Sequence, residues 1–306
     1  MQTIAAGQDE DDHIPDLKPV VLLLIDGFGV APINEGNVFS FSKTNTINRL
    51  IKDYPVTLLD SSFGSVNNRY LSLGTGVYFK EEVKDETKLN CISSIVSNNN
   101  LKQLKIFSPE RYVPLTHYFN GLREEKHNLE SWQLITDSKT KSDDKRKNTL
   151  TKEVFSYLLK EIDSNSGYKL ITAAVPGIDI CARTSIISDT KKEIEQIDKY
   201  LNKLVEKVLE KDYTLLISSA FGNAEKMMDM GMEIEDNKPT QNPVPLILIS
   251  NEFKGLRAGR NDVIDDNLSL LNPSGSLINI APTILELLDL EQPNSMKGES
   301  LVKDLV

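Results

Sequence analysis

Asp26 is the side chain best placed to do chemistry. It closes the apolar run VVLLLI at residues 20–25, and Gly27 and Gly29 beside it permit a tight backbone turn. In open α/β sheets ligands bind at the carboxyl edge of the strands, so a carboxylate there is a candidate functional residue. It can equally cap the next turn, and the motif alone leaves both roles open. A second apolar run, residues 215–217, leads to the loop at 218–222, where Ala220 and Phe221 stand and no carboxylate or imidazole is offered. Ser65 and Ser72 carry hydroxyls, but a serine needs a base or a metal to become a competent nucleophile, and both are expected to be non-catalytic. His117 has no partner at ligand spacing and is expected to be structural.

The elements that must position these residues follow from periodicity. Residues 168–184, YKLITAAVPGIDICART, form a strand and the loop leaving it. A helix is expected from Thr151, with Val154, Phe155, Leu158, Leu159 and Ile162 on one face. Another opens at Thr190, where Thr190 and Glu193 have capping-box spacing, and continues through Ile194, Ile197, Leu201, Leu204, Val205 and Val208. Near the end, Pro282 falls early in a helix, where it is tolerated.

Composition narrows the partners and the compartment. The chain has 306 residues, and its 39% hydrophobic content is enough for a large core. A formal charge of −10 repels a phosphate backbone, so direct nucleic-acid binding is not expected. Cys91 and Cys181 are the only cysteines and show no framework spacing, which fits a reducing cytoplasm. The opening MQTIAAGQDEDDH lacks a basic start and an apolar core, so it is not read as a signal peptide. The longest apolar run is too short to cross a bilayer, and no membrane contact is expected. Residues 1–17 read as an acidic flexible tail. The stretch at 137–148, DSKTKSDDKRKN, reads as a solvated charged loop, with a basic docking patch as the alternative.

Several long motifs carry a resemblance: VVLLLIDGFG with NEGN, KTNTINRL and YPVTLL, then LSLGTG, YFNGLREE, GNAE, NPVPLI and IAPTILELL. Together they resemble the cofactor-independent (2,3-bisphosphoglycerate-independent) phosphoglycerate mutases, the metal-dependent branch of the alkaline-phosphatase superfamily. The fold this implies is α/β: a three-layer, alkaline-phosphatase-like sandwich with a mostly parallel sheet and helices on both faces. A single domain is expected over residues 18–306. The family's inserted transferase domain is expected to be replaced by the short segment at about residues 77–100, a helix with flanking loops.

The same resemblance implies a site that has lost its donors. The family uses two divalent metal ions, manganese or another, with a serine that becomes phosphorylated. Asp26 matches a metal ligand, a vestige of the set. Gly177 stands where the family has an Asp, and Cys181 stands at or near a His, or Arg183 after a shift of one residue. Ala220 and Phe221 replace an Asp-His pair, and Pro239 replaces a further His with a side chain that has no donor atom. The nucleophile-bearing turn is missing before LSLGTG. Arg111 takes the place of a phosphate-neutralising Lys and is a possible anion contact, as is Arg69.

No catalytic residue and no bound metal or other cofactor is therefore expected. The vacated cavity is expected to be partly filled by Phe221 and by Met227 or Met228. The function implied is that of an inactive mutase-like protein acting through a protein partner or as a structural subunit. The alternative is a residual metal-dependent phosphatase or phosphoryl-transfer enzyme built on Asp26, Asp179, Asp229 or Cys181.

Overall fold

A computed structural model describes residues 17–81, 83, 88–136, 149–229, 234–235, 238–256 and 267–305. The charged stretch at 137–148 and all but the last residue of the acidic tail lie outside the described residues, as does part of the 77–100 segment.

The strands are β1 (Val20–Ile25), β2 (Val56–Asp60), β3 (Lys102–Phe107), β4 (Glu130–Leu134), β5 (Tyr168–Val175), β6 (Thr214–Ser218), β7 (Met228–Asp229), β8 (Ile234–Glu235), β9 (Val244–Ile249) and β10 (Gly275–Ser276). Eight of them form one sheet in the order β10-β2-β9-β6-β1-β5-β3-β4, while β7 and β8 pair apart. All neighbours in the large sheet are parallel except β9, which runs antiparallel to both β2 and β6. Parallel strands buried on both faces read as continuous apolar runs, and VVLLLI is the central example.

The side chains of β1 alternate between two cores. Val21, Leu23 and Ile25 enter the core shared with α1 (Asn45–Asp53), α4 (Thr151–Ser164) and α6 (Ile187–Glu210). Val20, Leu22 and Leu24 enter the opposite core, shared with α2 (Val66–Thr75), α3 (Ile92–Asn98) and α7 (Ile280–Leu287). The result is the expected three layers, with the sheet between two sets of helices. Two further short helices, α5 (Gly177–Ala182) and α8 (Val302–Leu305), follow β5 and close the chain.

The helix expected from Thr151 is α4. The α3 helix supplies the helical part of the 77–100 segment. One boundary differs from the sequence reading: α6 begins at Ile187 rather than at Thr190. Thr190 is already inside the helix, donating its hydroxyl to Ile186 O at 3.1 Å, so no capping box forms there. Among the described residues no helix is long and apolar enough to cross a membrane.

Candidate functional site

The parallel register brings three strand ends together. Ile25 of β1 is level with Val175 of β5, and Leu24 is level with Ser218 of β6. Asp26 therefore emerges between the loops that follow β5 and β6. Its backbone N–H donates to Val175 O at 3.1 Å, and its carbonyl accepts from Asp179 N at 3.1 Å. Gly27, at φ +92°, donates to Phe221 O at 2.9 Å. A side chain at residue 27 would collide with the backbone of Asp179, so the glycine is required for the three loops to meet.

The Asp26 carboxylate is fully buried and fully engaged. Its Oδ1 accepts from Ala220 N at 3.2 Å. Its Oδ2 accepts from the Tyr70 hydroxyl at 2.5 Å and from Nε of Arg111. Burial, reinforced by the Asp26 charge, pushes the Tyr70 hydroxyl well above its ordinary pKa, so it stays neutral and donates.

Arg111 reaches this point from the short helical turn after β3, and its guanidinium also meets Asp179. Nη2 of Arg111 lies 2.7 Å from Asp179 Oδ2. Burial opposes the guanidinium charge, but Asp26, Tyr70 and Asp179 outweigh it and hold the pKa above its ordinary value. Asp179 also accepts from Arg183 Nε and from Asn223 Nδ2, each at 2.9 Å on Oδ1. Arg183 Nη2 closes on Oδ2 at 2.9 Å. The Phe221 ring is fully buried, with the Arg111 guanidinium 5.7 Å from its centroid.

The donor set does not fit a pair of divalent ions. Gly177, Ala220, Phe221 and Pro239 bring no ligand atom on their side chains. Both oxygens of Asp26 are occupied by protein donors, and a permanent cation already lies against it. Among the described residues there is no group of three or more His, Cys, Asp or Glu side chains arranged to hold a metal. Asp179, named above among the residues of a residual enzyme, is brought next to Asp26, but through Arg111. Cys181 is half-buried in α5 and forms no disulfide.

Neither arginine proposed as an anion contact is open to one. Arg111 is 5% exposed and committed to two carboxylates. Arg69 is buried, its Nε donating to Phe63 O at 3.0 Å and its Nη1 to Thr240 O at 2.8 Å. The serines serve the backbone: Ser65 caps α2 by accepting from Asn68 N at 3.3 Å, and Ser72 accepts from Phe79 N at 3.4 Å. His117 contacts Arg123 O through Nδ1 at 3.3 Å and packs edge-on against Tyr118. Of the residues expected to fill the cavity, Phe221 is fully buried beside the Arg111 guanidinium. Met227 is buried in the core on the opposite face of the sheet, and Met228 lies in β7.

Tyr70 and Asn223 were not singled out by the sequence, and they complete the arrangement; nothing in their spacing marks them, because each acts across 44 residues. Glu193, expected in a capping box with Thr190, instead accepts from the Thr151 hydroxyl and lies against Gly177. The network as a whole pairs two carboxylates with two guanidinium groups. It ties together the segments that follow β1, β3, β5 and β6.

A family model described as the Metalloenzyme superfamily matches residues 18–292. The 2,3-bisphosphoglycerate-independent phosphoglycerate mutase of Clostridium botulinum (strain Langeland / NCTC 10281 / Type F) is 35% identical over 214 residues, which are 70% of this chain and 39% of that protein. The protein of the same description from Clostridium acetobutylicum is 32% identical over 216 residues, 71% of this chain and 39% of its own length. The chain thus spans about two fifths of these relatives.

Among solved structures, phosphoglycerate mutase from Leishmania mexicana at low cobalt concentration superposes with a TM-score of 0.75 at 10% identity, covering 94% of this chain and 98% of that one. Alkaline phosphatase from the Antarctic bacterium TAB5 gives a TM-score of 0.59 at 13% identity, covering 90% of this chain and all (100%) of that one. At such identities the likeness is one of fold.

Proposed function

The chain belongs to the metalloenzyme superfamily, and from that premise we propose that it is a phosphoglycerate-mutase-like member without phosphoryl-transfer chemistry, acting through a protein partner or as a structural subunit of an assembly. The observation that carries this reading is the engagement of Asp26, whose two oxygens both accept from protein donors. At the other positions that the family resemblance matches to ligands, Gly177, Ala220, Phe221 and Pro239 offer side chains without a donor atom. Metal-assisted phosphoryl transfer needs several convergent ligands to activate a nucleophile and neutralise the transferring group. One carboxylate engaged by protein donors supplies neither function.

The reading also takes residues 18–306 as one domain, without the family's transferase insertion and without bound metal. It places the protein in the cytoplasm, supported by two cysteines that form no disulfide. The net charge of −10 favours a protein partner over nucleic acid.

The test is an assay of the purified chain with 3-phosphoglycerate and with a generic phosphomonoester, in manganese, cobalt or zinc, accompanied by metal analysis. No turnover above the uncatalysed background and sub-stoichiometric metal are expected. Metal-dependent turnover that disappears in Asp26→Ala would overturn the proposal and favour a residual phosphatase. For the interaction half, the chain isolated from its source cell is expected to carry a defined protein at fixed stoichiometry. Isolation as a lone, active hydrolase is the contrary result.

A further inference from the structure

We infer that Arg111 is the protein's own replacement for a divalent cation, and that removing it would turn Asp26 and Asp179 into a site that draws such an ion in from solution. The inference deepens the reading above and rests on it. Asp26 is fully buried and Asp179 is 1% exposed. Two carboxylates so close, both out of water, cannot stay ionised without a counter-charge between them.

Arg111 occupies that position. Its Nε reaches Asp26 Oδ2, and its Nη2 reaches Asp179 Oδ2 at 2.7 Å. A single guanidinium therefore bridges both carboxylates, which the point charge of a lysine ammonium cannot do with the same geometry. Arg183, half-exposed, completes the compensation of Asp179 from the solvent side. Tyr70, Ala220 N and Asn223 fill the remaining acceptor positions with neutral donors.

Phe221 fits this account. An aromatic ring gives an ion no ligand, but its face suits a guanidinium, and the Arg111 guanidinium lies 5.7 Å from the ring centroid. The side chain unable to hold a metal and the side chain able to stand in for one are thus packed against each other. The centre has exchanged one cation for another and kept its electrostatic balance.

The test is thermal melting of the full chain in a chelator and in excess manganese. The wild-type midpoint is expected to be the same in both. Arg111→Ala is expected to melt roughly 5–10 °C lower in chelator, as a buried pair broken on one side should, and to recover at least half of the loss in manganese. Arg111→Ala combined with Asp26→Asn is expected to melt above Arg111→Ala in chelator and to show no manganese response.

Equal melting of wild type and Arg111→Ala in chelator would overturn the inference. So would a loss that manganese leaves unchanged. If Arg111→Ala does not accumulate as folded protein, Arg111→Met with Asp26→Asn and Asp179→Asn is compared with it. Recovery of folding in that uncharged variant supports the inference, and failure to recover overturns it. Failure here leaves the assays of the wild-type chain unaffected, so the two readings fail separately.

Discussion

The carboxylate of Glu193 lies in the space that a side chain at residue 177 would enter. A Cβ built on Gly177 overlaps Oε1 of Glu193 and the hydroxyl of Thr151, and both neighbours are buried. Glu193 of α6 thus fills the space beside Gly177 and is anchored there by the Thr151 hydroxyl. Gly177→Asp is expected to destabilise the fold by about 2–4 kcal/mol through overpacking and like-charge contact, without creating a metal site. Urea unfolding of Gly177→Asp, alone and with Glu193→Ala, checks this. The second substitution should return part of the loss.

Much of this was legible in the chain. The apolar runs at 20–25 and 215–217 are strands buried on both faces, as short continuous apolar runs in a parallel sheet read, and the donorless positions can be read off as residue types. The α6 boundary was misread because Thr190 and Glu193 have the spacing of a cap, while both are drawn inside the helix by Ile186 O and Thr151. The role of Arg111 was not legible at all. Its partners, Asp26 and Asp179, lie 85 and 68 residues away in the chain, and only the parallel register brings the three loops together.

The Lys105–Glu130 pair forms a second buried polar centre, between β3 and β4. Lys105 Nζ lies 2.6 Å from Glu130 Oε1 and 3.0 Å from Ser93 Oγ, and it also donates to Asn120 Oδ1. Glu130 in addition accepts from His127 N at 2.7 Å and Trp132 Nε1 at 2.8 Å. Burial lowers the pKa of Lys105. Burial works to raise that of Glu130, but the Lys105 charge and the hydrogen bonds prevail and lower it. Lys105→Met leaves a buried carboxylate uncompensated and is expected to cost about 3–5 kcal/mol. Lys105→Met/Glu130→Leu is expected to cost clearly less than the sum of the two single changes, as a double-mutant cycle in denaturant would measure.

His127 gives the fold a pH dependence on the acid side. It is 8% exposed, and burial pushes its pKa from 6.5 down to about 4. Its Nε2 lies 3.7 Å from the Cys91 sulfur, and burial holds that thiol in its neutral form. Because the unfolded chain binds the proton first, His127 contributes stability above the ordinary histidine value, and that contribution is lost as the pH falls from 6.5 towards 4. The loss is expected to be on the order of 2–3 kcal/mol. Denaturant midpoints measured between pH 7 and pH 4.5 should fall more steeply for wild type than for His127→Gln. Parallel slopes would remove the histidine from the account.

Glu225 acts with the opposite sign. Its carboxyl is 1% exposed, its Oε1 accepts from the Thr240 hydroxyl and from Asn242 Nδ2 at 3.0 Å, and it packs against Gly29 and Gly222, where any Cβ would overlap it. Burial is the largest influence and raises its pKa, so the fold prefers the neutral acid. A raised folded pKa gives stability that is complete below the ordinary glutamate value and is lost as the pH rises through the folded value. Glu225→Gln keeps the shape and the Oε1 acceptor but has no proton to lose. The variant should therefore gain on wild type as the pH is raised from 5 to 8, and a wild type whose advantage grows over that range would show that the buried carboxylate is stabilised in its charged form. Gly222→Ala, which forces the carboxyl aside, is expected to cost about 1–3 kcal/mol at either pH, because the overlap does not depend on whether the acid carries its proton.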